Sequence, residues 1–495
     1  MSRIVFFQAK NGSTTCTCAG LPLHSAYNPE REAERFVSAQ EYTFLPQNII
    51  VTGPALSYTA DILRQKFPQA ALIAVRYSTD FSASDSKWDS VLYYTSQADL
   101  ENRLYTMLGE EGLAETQFLS WQPGAAAFPK ENTGAWNAIK QAVVKSRAVL
   151  ATRTYFARRW YKNCCTFVTE LTSCMTLTGG SAPVIVAASG PSLGTCLEQL
   201  RQYRHTYFLL AVSSALEPLL NAGIRPDACI STDGGYYAKA HLDILTKHNP
   251  GVPLLLAAEA ACRPQLLRTC AVVPLTYRSF PEAQILNSCG IPSLPAERNG
   301  TVSGTAVELA LRLTTGPVYC CGLDLAPAKG YQHLQPNALE RSNRLTDSRL
   351  RPLCTRLSAA GLPSESLNIY RDWFSTRSAG FYSRVFRLSG PYTYANTLGT
   401  MRELTWNDIT LPGGITMPHL TSAAPLPARE KRRQALKECL QRLSESEEWI
   451  KNVCPADYIT WQRALKQADR ARLQEAAEEK SRAVAAELLS YIGAV

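Results

Sequence analysis

The chain has 495 residues, with 51 Lys and Arg against 42 Asp and Glu, 45% hydrophobic residues and 15 cysteines. At about 100–200 residues per domain this length calls for two to four packed units, and the ordinary apolar fraction excludes wholesale disorder and a fibrous repeat. A net charge of +9 suits an anionic small ligand but does not demand nucleic acid. No apolar run reaches the roughly 18 residues that a membrane span needs, and the apolar stretch after Met1 is too short for a secretory signal. The cysteines are odd in number and scattered, and Cys16-x-Cys18 has no second pair or His cluster to complete a zinc site. These features predict a soluble, multidomain protein of a reducing compartment.

In chain order, Ser25 to Ala33 reads as a polar turn with Pro29 entering a helix. Asn48–Thr52, the Gly53-Pro54 break, a helical pattern from Tyr58 to Phe67 and the apolar run Ala71–Val75 form strand, turn, helix, strand, the signature of a parallel βαβ unit. From about Thr133 to Leu177 one or two long helices are expected, ending at Gly179-Gly180. Between Glu131 and Glu170 there is no acid, while Lys140, Lys145, Arg147, Arg153, Arg158, Arg159 and Lys162 accumulate. This stretch reads as a solvated basic helix face, or as the lining of an approach to an anionic ligand.

The next region alternates most plainly. Pro183–Ala188, Tyr207–Ser213, Ala228–Thr232, Pro253–Ala258, Ala271–Leu275 and Val318–Cys321 read as buried strands, with helices at Ser192–Tyr203, Ser214–Ala222, Tyr237–Lys247 and Ser303–Thr314. Successive crossovers of this kind predict a parallel sheet covered on both faces. A mixed stretch leads to a proline-containing linker, Thr421 to Pro427, and then to two or three helices between Arg429 and Ile492. The expected fold class is α/β: a doubly wound Rossmann-like central domain, a smaller N-terminal α/β unit and a C-terminal helical region. The expected boundaries are 1–125 for the N-terminal unit, 126–180 for a helical connector, 181–345 for the nucleotide-binding and catalytic domain, 346–420 for a mixed extension of the core, and 428–495 for the C-terminal helices.

The sharpest local feature is Ala187-Ala188-Ser189-Gly190-Pro191-Ser192-Leu193, where a buried strand runs into a helix through Gly-Pro. Amides freed at such a turn, with the helix dipole behind them, favour phosphate, although the same residues also make a plain strand-to-helix turn. The spacing is neither the Walker loop nor G-x-G-x-x-G. Ligands of a parallel sheet sit at the carboxyl ends of its strands. There this sequence gathers Ser213, the run Ser231-Thr232-Asp233-Gly234-Gly235, the run Ser303-Gly304-Thr305, and Gly322 with Asp324. Such a rim suits a nucleotide-activated substrate. Asp233 reads either as a base or as a cap on the following helix, and Asp324 either as a cation holder or as an Asx-turn. No Asp-x-Asp pair supports a metal site.

Read together, Ala187 to Leu193, Ala211 to Leu220, Gly223-Ile224-Arg225-Pro226-Asp227, Ser231-Thr232-Asp233, Gly304-Thr305-Ala306, Gly322-Leu323-Asp324-Leu325-Ala326 and the N-terminal His24 to Ala33 resemble the motility-associated factor glycosyltransferase family. Its central domain is also named 6-hydroxymethylpterin diphosphokinase-like. The resemblance runs from about residue 20 to 410 and is densest between 184 and 335. It implies a cytoplasmic transferase, needed for the bacterial flagellum and motility, that moves a nonulosonic (sialic-acid-like) sugar from a CMP-activated donor to Ser or Thr hydroxyls of flagellin. The Gly-Pro-Ser-Leu turn is also similar to that of bacterial sialyltransferases. On that analogy Ser189, Gly190, Pro191, Ser192, Ser213, Ser231, Thr232, Asp233, Ser303, Gly304, Thr305, Gly322 and Asp324 line the donor site.

The family's Thr-His-Ala is here Gln332-His333-Leu334, which departs on both sides of the histidine. His333 or Asp233 would take the acceptor proton, and Arg298 or Lys329 would face the departing phosphate. The implied partners are flagellin and the nucleotide-activated sugar, with no nucleic acid and no membrane span. No resident cofactor or metal ligand set is assigned, and magnesium enters only as an accessory ion. Two other readings stand beside this one. The first is pyrophosphate transfer from ATP to a pterin alcohol, with magnesium held by Asp233 and Asp324. The second is a non-catalytic flagellin-binding factor.

Overall fold

A computed structural model of the chain describes residues 4–494, apart from 249–250, 278–279, 327–330, 346, 351, 353–364, 389–396 and 410–414, and apart from the side chains of 343 and 365–369. The chain divides into two compact units: Met1–Tyr155 with Val453–Ser481, and Phe156–Asn452 with Arg482–Val495.

The first unit opens with an antiparallel sheet of β1 (Ile4–Gln8), β2 (Thr14–Cys18) and β3 (Leu21–Pro22). Cys16 and Cys18 are buried with Ile4 and Leu23 in a small apolar cluster. Asn28 caps α1 (Pro29–Ala39), its side-chain oxygen accepting the Arg31 amide at 2.9 Å, as the polar turn before Pro29 predicts. Then come β4 (Asn48–Thr52), α2 (Tyr58–Lys66), β5 (Ala71–Arg76), β6 (Ser90–Tyr93), α3 (Gln97–Ala114), β7 (Thr116–Ser120) and α4 (Gln122–Ala127). The strands form a parallel sheet in the order β6-β5-β4-β7. Successive side chains leave opposite faces: Ile49, Val51, Leu72 and Ala74 enter one apolar cluster, Ile50, Ile73 and Val75 the other. Helix α5 (Pro129–Glu170) carries the chain from residues of the first unit to those of the second.

The second unit is built from β8 (Met175–Thr178), β9 (Val184–Ala187), α6 (Leu193–Gln202), β10 (Phe208–Val212), α7 (Ser213–Asn221), β11 (Ala228–Ser231), α8 (Asp243–His248), β12 (Leu254–Ala257) and α9 (Pro264–Thr269). It continues through β13 (Val272–Thr276), α10 (Pro281–Ser288), β14 (Leu294–Pro295), α11 (Val302–Leu313), β15 (Val318–Cys321), α12 (Ala338–Arg344), β16 (Val385–Leu388), β17 (Arg402–Leu404) and β18 (His419–Ser422). Nine of these strands form one parallel sheet, ordered β14-β13-β12-β11-β10-β9-β15-β16-β17. Every residue of β9, β10, β11, β12 and β15 is buried, as a sheet covered on both faces requires. The doubly wound α/β architecture expected from the sequence is therefore present. The order of the sheet reverses between β9 and β15, which makes the gap between their carboxyl ends its switch point.

Three local expectations need correction. The expected helix through Leu177 stops at Glu170, and Met175–Thr178 is instead β8, paired antiparallel with β18, which takes in the first two residues of the expected linker. Cationic side chains stop the helix: Arg432 donates to the carbonyls of Val168 and Leu171 and Arg429 to that of Thr169, complementing the negative end of the dipole. The stretch after Gly235 starts as a 3-10 turn, Tyr236–Leu242, before α8. The C-terminal region holds four helices, Arg429–Leu443, Glu447–Val453, Pro455–Gln462 and Gln467–Ala494, rather than two or three. No described helix is long and apolar enough to cross a membrane.

Candidate functional site

The Gly190 turn lies at the switch point. The Ala188 amide donates to the Cys321 carbonyl and the Gly190 amide to the Gly322 carbonyl, each at 2.8 Å, so the turn after β9 is stitched to the end of β15. A Cβ on Gly190 would overlap the Gly322 carbonyl oxygen and lie 2.5 Å from Asp324 Oδ2. Gly322 in turn has φ +66°, a conformation that only glycine adopts cheaply. The close approach that demands glycine is thus strand end against strand end.

This corrects the expectation of free amides between Ala188 and Leu193. The Ser192 amide donates to Asp324 Oδ2 at 2.8 Å, the Ser192 hydroxyl bonds Asp324 Oδ1, and the Leu193 amide returns to the Gly190 carbonyl at 3.0 Å. The seat at the positive end of α6 is filled by a carboxylate 132 residues away. Burial pushes the Asp324 carboxyl above its ordinary range, while the two Ser192 bonds and the nearby Arg387 charge act in the opposite sense. Gly190, Pro191, Ser192, Gly322 and Asp324 are indeed brought together, as a closed clasp. An Asx-turn does not describe Asp324, whose partner is remote in sequence.

Polar groups remain beside the clasp. Ser189 is half-buried, and its hydroxyl accepts from that of Ser214 at 2.8 Å. Over these strand ends lies the segment from Tyr331 to Arg341: the Leu334 amide donates to the Ser189 carbonyl at 2.7 Å, and Asn337 Nδ2 to the Ser214 carbonyl at 3.1 Å. The segment carries His333, half-buried, whose Nδ1 stands 3.3 Å from Oε1 of the buried Glu340. The His241 ring lies 5.9 Å from that of His333. Burial, and secondarily the His333 charge, push His241 down to about 4, so it is neutral near pH 7.

The other candidate residues lie in neighbouring loops. Ser213 is buried at the start of α7, and Ser231 is fully buried with no hydrogen-bond partner for its hydroxyl among the described residues. Thr232 is half-buried. Asp233 is exposed; its Oδ1 accepts the Gly235 amide at 2.7 Å and its carbonyl accepts the Ala261 amide at 2.9 Å, so it caps its own turn. Thr301 caps α11 by accepting the Gly304 amide at 2.9 Å, and Asn299 packs where a Gly304 Cβ would stand. Thr305 is buried and bonds the Glu297 carbonyl at 3.1 Å, which leaves Ser303 as the half-exposed hydroxyl of that turn.

Arg298 does not offer a free cation to a departing phosphate. It pairs with buried Glu259, and its guanidinium lies over the rings of Trp160, Tyr277 and Phe280 at 4.6, 4.9 and 4.1 Å. Lys329 lies outside the described residues. Among the described residues, no group of three His, Cys, Asp or Glu side chains converges as a metal site.

Sequence reasoning missed Glu340 and the pairing of Arg298 with Glu259. Glu340 had a legible signal: Asn337-x-x-Glu340 has the spacing of a helix-start cap, and Asn337 Oδ1 does accept the Leu339 and Glu340 amides at 3.0 and 3.4 Å.

Known proteins place this architecture in context. Residues 158–330 match the model for the 6-hydroxymethylpterin diphosphokinase MptE-like domain. An uncharacterized protein of Treponema pallidum (strain Nichols) is 30% identical over 353 residues, covering 70% of this chain and 76% of its own length. A second uncharacterized protein of the same organism is 27% identical over 165 residues, which are 32% of this chain and 27% of that protein. Among solved structures, the MAf glycosyltransferase of Magnetospirillum magneticum AMB-1 superposes with a TM-score of 0.53 at 11% identity, over 100% of this chain and 92% of that one. At that identity the likeness is one of fold.

Proposed function

This chain belongs to the same family as the Treponema pallidum protein, carries an MptE-like domain over residues 158–330 and has the fold of a MAf glycosyltransferase, and from that premise we propose that it is itself a glycosyltransferase. Its reaction in this reading moves a nonulosonic, sialic-acid-like sugar from a CMP-activated donor to Ser or Thr hydroxyls of flagellin. The observation that carries the reading is His333, held against Glu340 above the carboxyl ends of β9 and β10, beside the switch point of the sheet.

Transfer needs a base for the acceptor hydroxyl and a way to accommodate the departing phosphate. His333 Nε2 takes the hydroxyl proton, the oxygen bonds the anomeric carbon, and the bond from that carbon to the CMP phosphate oxygen breaks, its electron pair leaving with CMP. The proton on Nε2 then passes to water. The donor lies against Ser189, Ser214, Thr232 and Ser303, with the start of α11 toward the phosphate. Asp324 shapes this floor from beneath and does not touch the donor, because both its oxygens are engaged by Ser192.

The test is incubation of the protein with flagellin and a CMP-activated nonulosonic sugar, read by intact mass. Flagellin gains one or more sugar masses; His333→Gln lowers the rate at least about 100-fold while CMP-sugar binding by calorimetry persists. No mass gain with any such donor overturns the reading, and EDTA treatment reports any magnesium requirement. The description of the matched domain favours a second reading, pyrophosphate transfer from ATP to a pterin alcohol. Formation of AMP with ATP, magnesium and the pterin would establish it. The engagement of Asp324 by Ser192 weighs against it, since that reading needs Asp324 as a magnesium ligand.

A further inference from the structure

The segment from Tyr331 to Arg341 carries more organisation than a surface loop needs. Asn337 is fully buried and acts in two directions: Nδ2 holds the Ser214 carbonyl at 3.1 Å, and Oδ1 holds the Leu339 and Glu340 amides at 3.0 and 3.4 Å. The Leu334 amide is tied to the Ser189 carbonyl at 2.7 Å. Leu334 and Asn337 are thereby anchored beside the ends of β9 and β10, and His333 and Glu340 flank those anchors along the chain. Glu340 is 5% exposed, and its Oε1 accepts the Gln332 amide at 3.1 Å and stands 3.3 Å from His333 Nδ1. Arg341, the next residue, is pinned to Glu217 at 2.6 Å. The ring of buried His241 lies 5.9 Å from that of His333.

We infer that Glu340 is a positioning residue that fixes His333 in the tautomer with the proton on Nδ1, leaving the Nε2 lone pair free to accept a proton at the half-exposed face of the ring, with His241 as the wall that limits its rotation. The chemistry is that of a buried carboxylate orienting an imidazole: an N–H donated to a carboxylate on one side of the ring makes the opposite nitrogen the acceptor. Nδ1 at the carboxylate cannot serve the acceptor hydroxyl, so the proton transfer described above runs through Nε2. As a statement about catalysis the inference rests on the proposed glycosyl transfer; as a statement about the tautomer it stands without it.

Two measurements on the full chain keep these apart. In the first, protein labelled with 15N-histidine gives long-range 1H–15N correlations, with the His333 ring assigned by its loss in His333→Gln. The expected pattern at pH 8 is a protonated Nδ1 and a bare Nε2 in the native protein, collapsing to a tautomer mixture in Glu340→Gln. An Nε2-protonated ring in the native protein, or an unchanged ring in the variant, overturns the inference whatever the reaction turns out to be. In the second, sugar transfer to flagellin is followed kinetically. Glu340→Gln lowers kcat by about 10- to 100-fold with KM for the donor and the acceptor within twofold, and Glu340→Asp recovers part of the loss. A Glu340→Gln rate within twofold of native overturns the catalytic role. If the native protein itself transfers no sugar, the proposed function fails and the spectra alone decide the pair. Should Glu340→Gln melt at a lower temperature, both measurements are made well below its melting midpoint, where the ring pattern and the rate still decide.

Discussion

Gly53-Pro54 in the first unit and Gly190-Pro191 in the second follow a strand of a parallel sheet at the point where strand order reverses, yet the groups that hold the two turns carry opposite charge. In the first unit Arg76, 1% exposed, donates to the Ala55 carbonyl, to Ser57 Oγ at 2.8 Å and Ser84 Oγ at 2.9 Å, and pairs with Asp85 at 2.9 Å. Trp88 Nε1 adds a further bond to Ser57 Oγ at 2.9 Å. These bonds hold Ala55 and Ser57 at φ +43° and +66°, which non-glycine residues seldom adopt. In the second unit Asp324 accepts from Ser192, and glycines at 190 and 322 take the tight contact.

A guanidinium has five donors and closes a crevice from several sides at once. A carboxylate ties a single turn and leaves the neighbouring strand ends with work to do. Hence Ser57 and Arg76 are sealed, whereas Ser189, Ser214 and His333 stay half-exposed beside the clasp. Of two similar turns, the one held by the shorter side chain keeps a usable rim.

Gly190→Val is the harshest way to break this picture. Its Cβ meets the Gly322 backbone and the Asp324 carboxylate, neither able to retreat cheaply, so the variant loses about 3–4 kcal/mol of stability and hydrogen exchange rises across β9 and β15. A glycine that merely admitted a phosphate would instead lose nucleotide binding in an intact fold; the close contact makes the difference. Next is Arg76→Leu, which strands buried acceptors at Ala55 and Ser57 and should cost about 3 kcal/mol, with faster exchange confined to residues 48–93. Unchanged exchange there would mean that Arg76 is not what holds the first turn.

A smaller effect comes from His241. Its depressed pKa means that the native state binds fewer protons than the unfolded chain between about 4 and the ordinary histidine value near 6.5. Its contribution is therefore complete above pH 6.5 and lost as pH falls toward 4. Urea unfolding should show native protein losing about 1–3 kcal/mol over that window, with a shallower loss in His241→Gln; parallel curves would refute the assignment. Asp324→Asn is the mildest at pH 7, about 1 kcal/mol, because the amide keeps an acceptor for the Ser192 amide. Here the sign is opposite: burial raises the carboxyl's pKa, so its contribution is full below the ordinary carboxylate value and declines as pH rises through the raised one. The asparagine variant should lack that decline.

The strands β9 to β13 and β15 were legible because they are short apolar runs bounded by Gly, Pro or polar turns, and burial on both faces requires such runs. β16 and β17 were not, since Arg387, Arg402 and Glu403 break the apolar pattern; their place follows from pairing with β15 and with each other, and Arg387 is neutralised by Glu403 within the sheet. The hairpin of β1 and β2 was likewise hidden, because Val5, Phe6 and Phe7 remain exposed.

At the site, residue types and strand ends could be read locally: Gly190 before a helix and Ser231 to Asp233 lie where the apolar runs stop, and His333 lies in the stretch that follows β15. Local order is written in neighbours three or four residues apart, and a sequence displays those directly. What only the tertiary structure decided was which groups are already engaged. Asp324 reaches Ser192 across 132 residues, and Arg298 is enclosed by Glu259 and three aromatic rings. Whether an amide or a cation is free for a ligand depends on contacts between distant segments, and those arise only when the sheet has assembled.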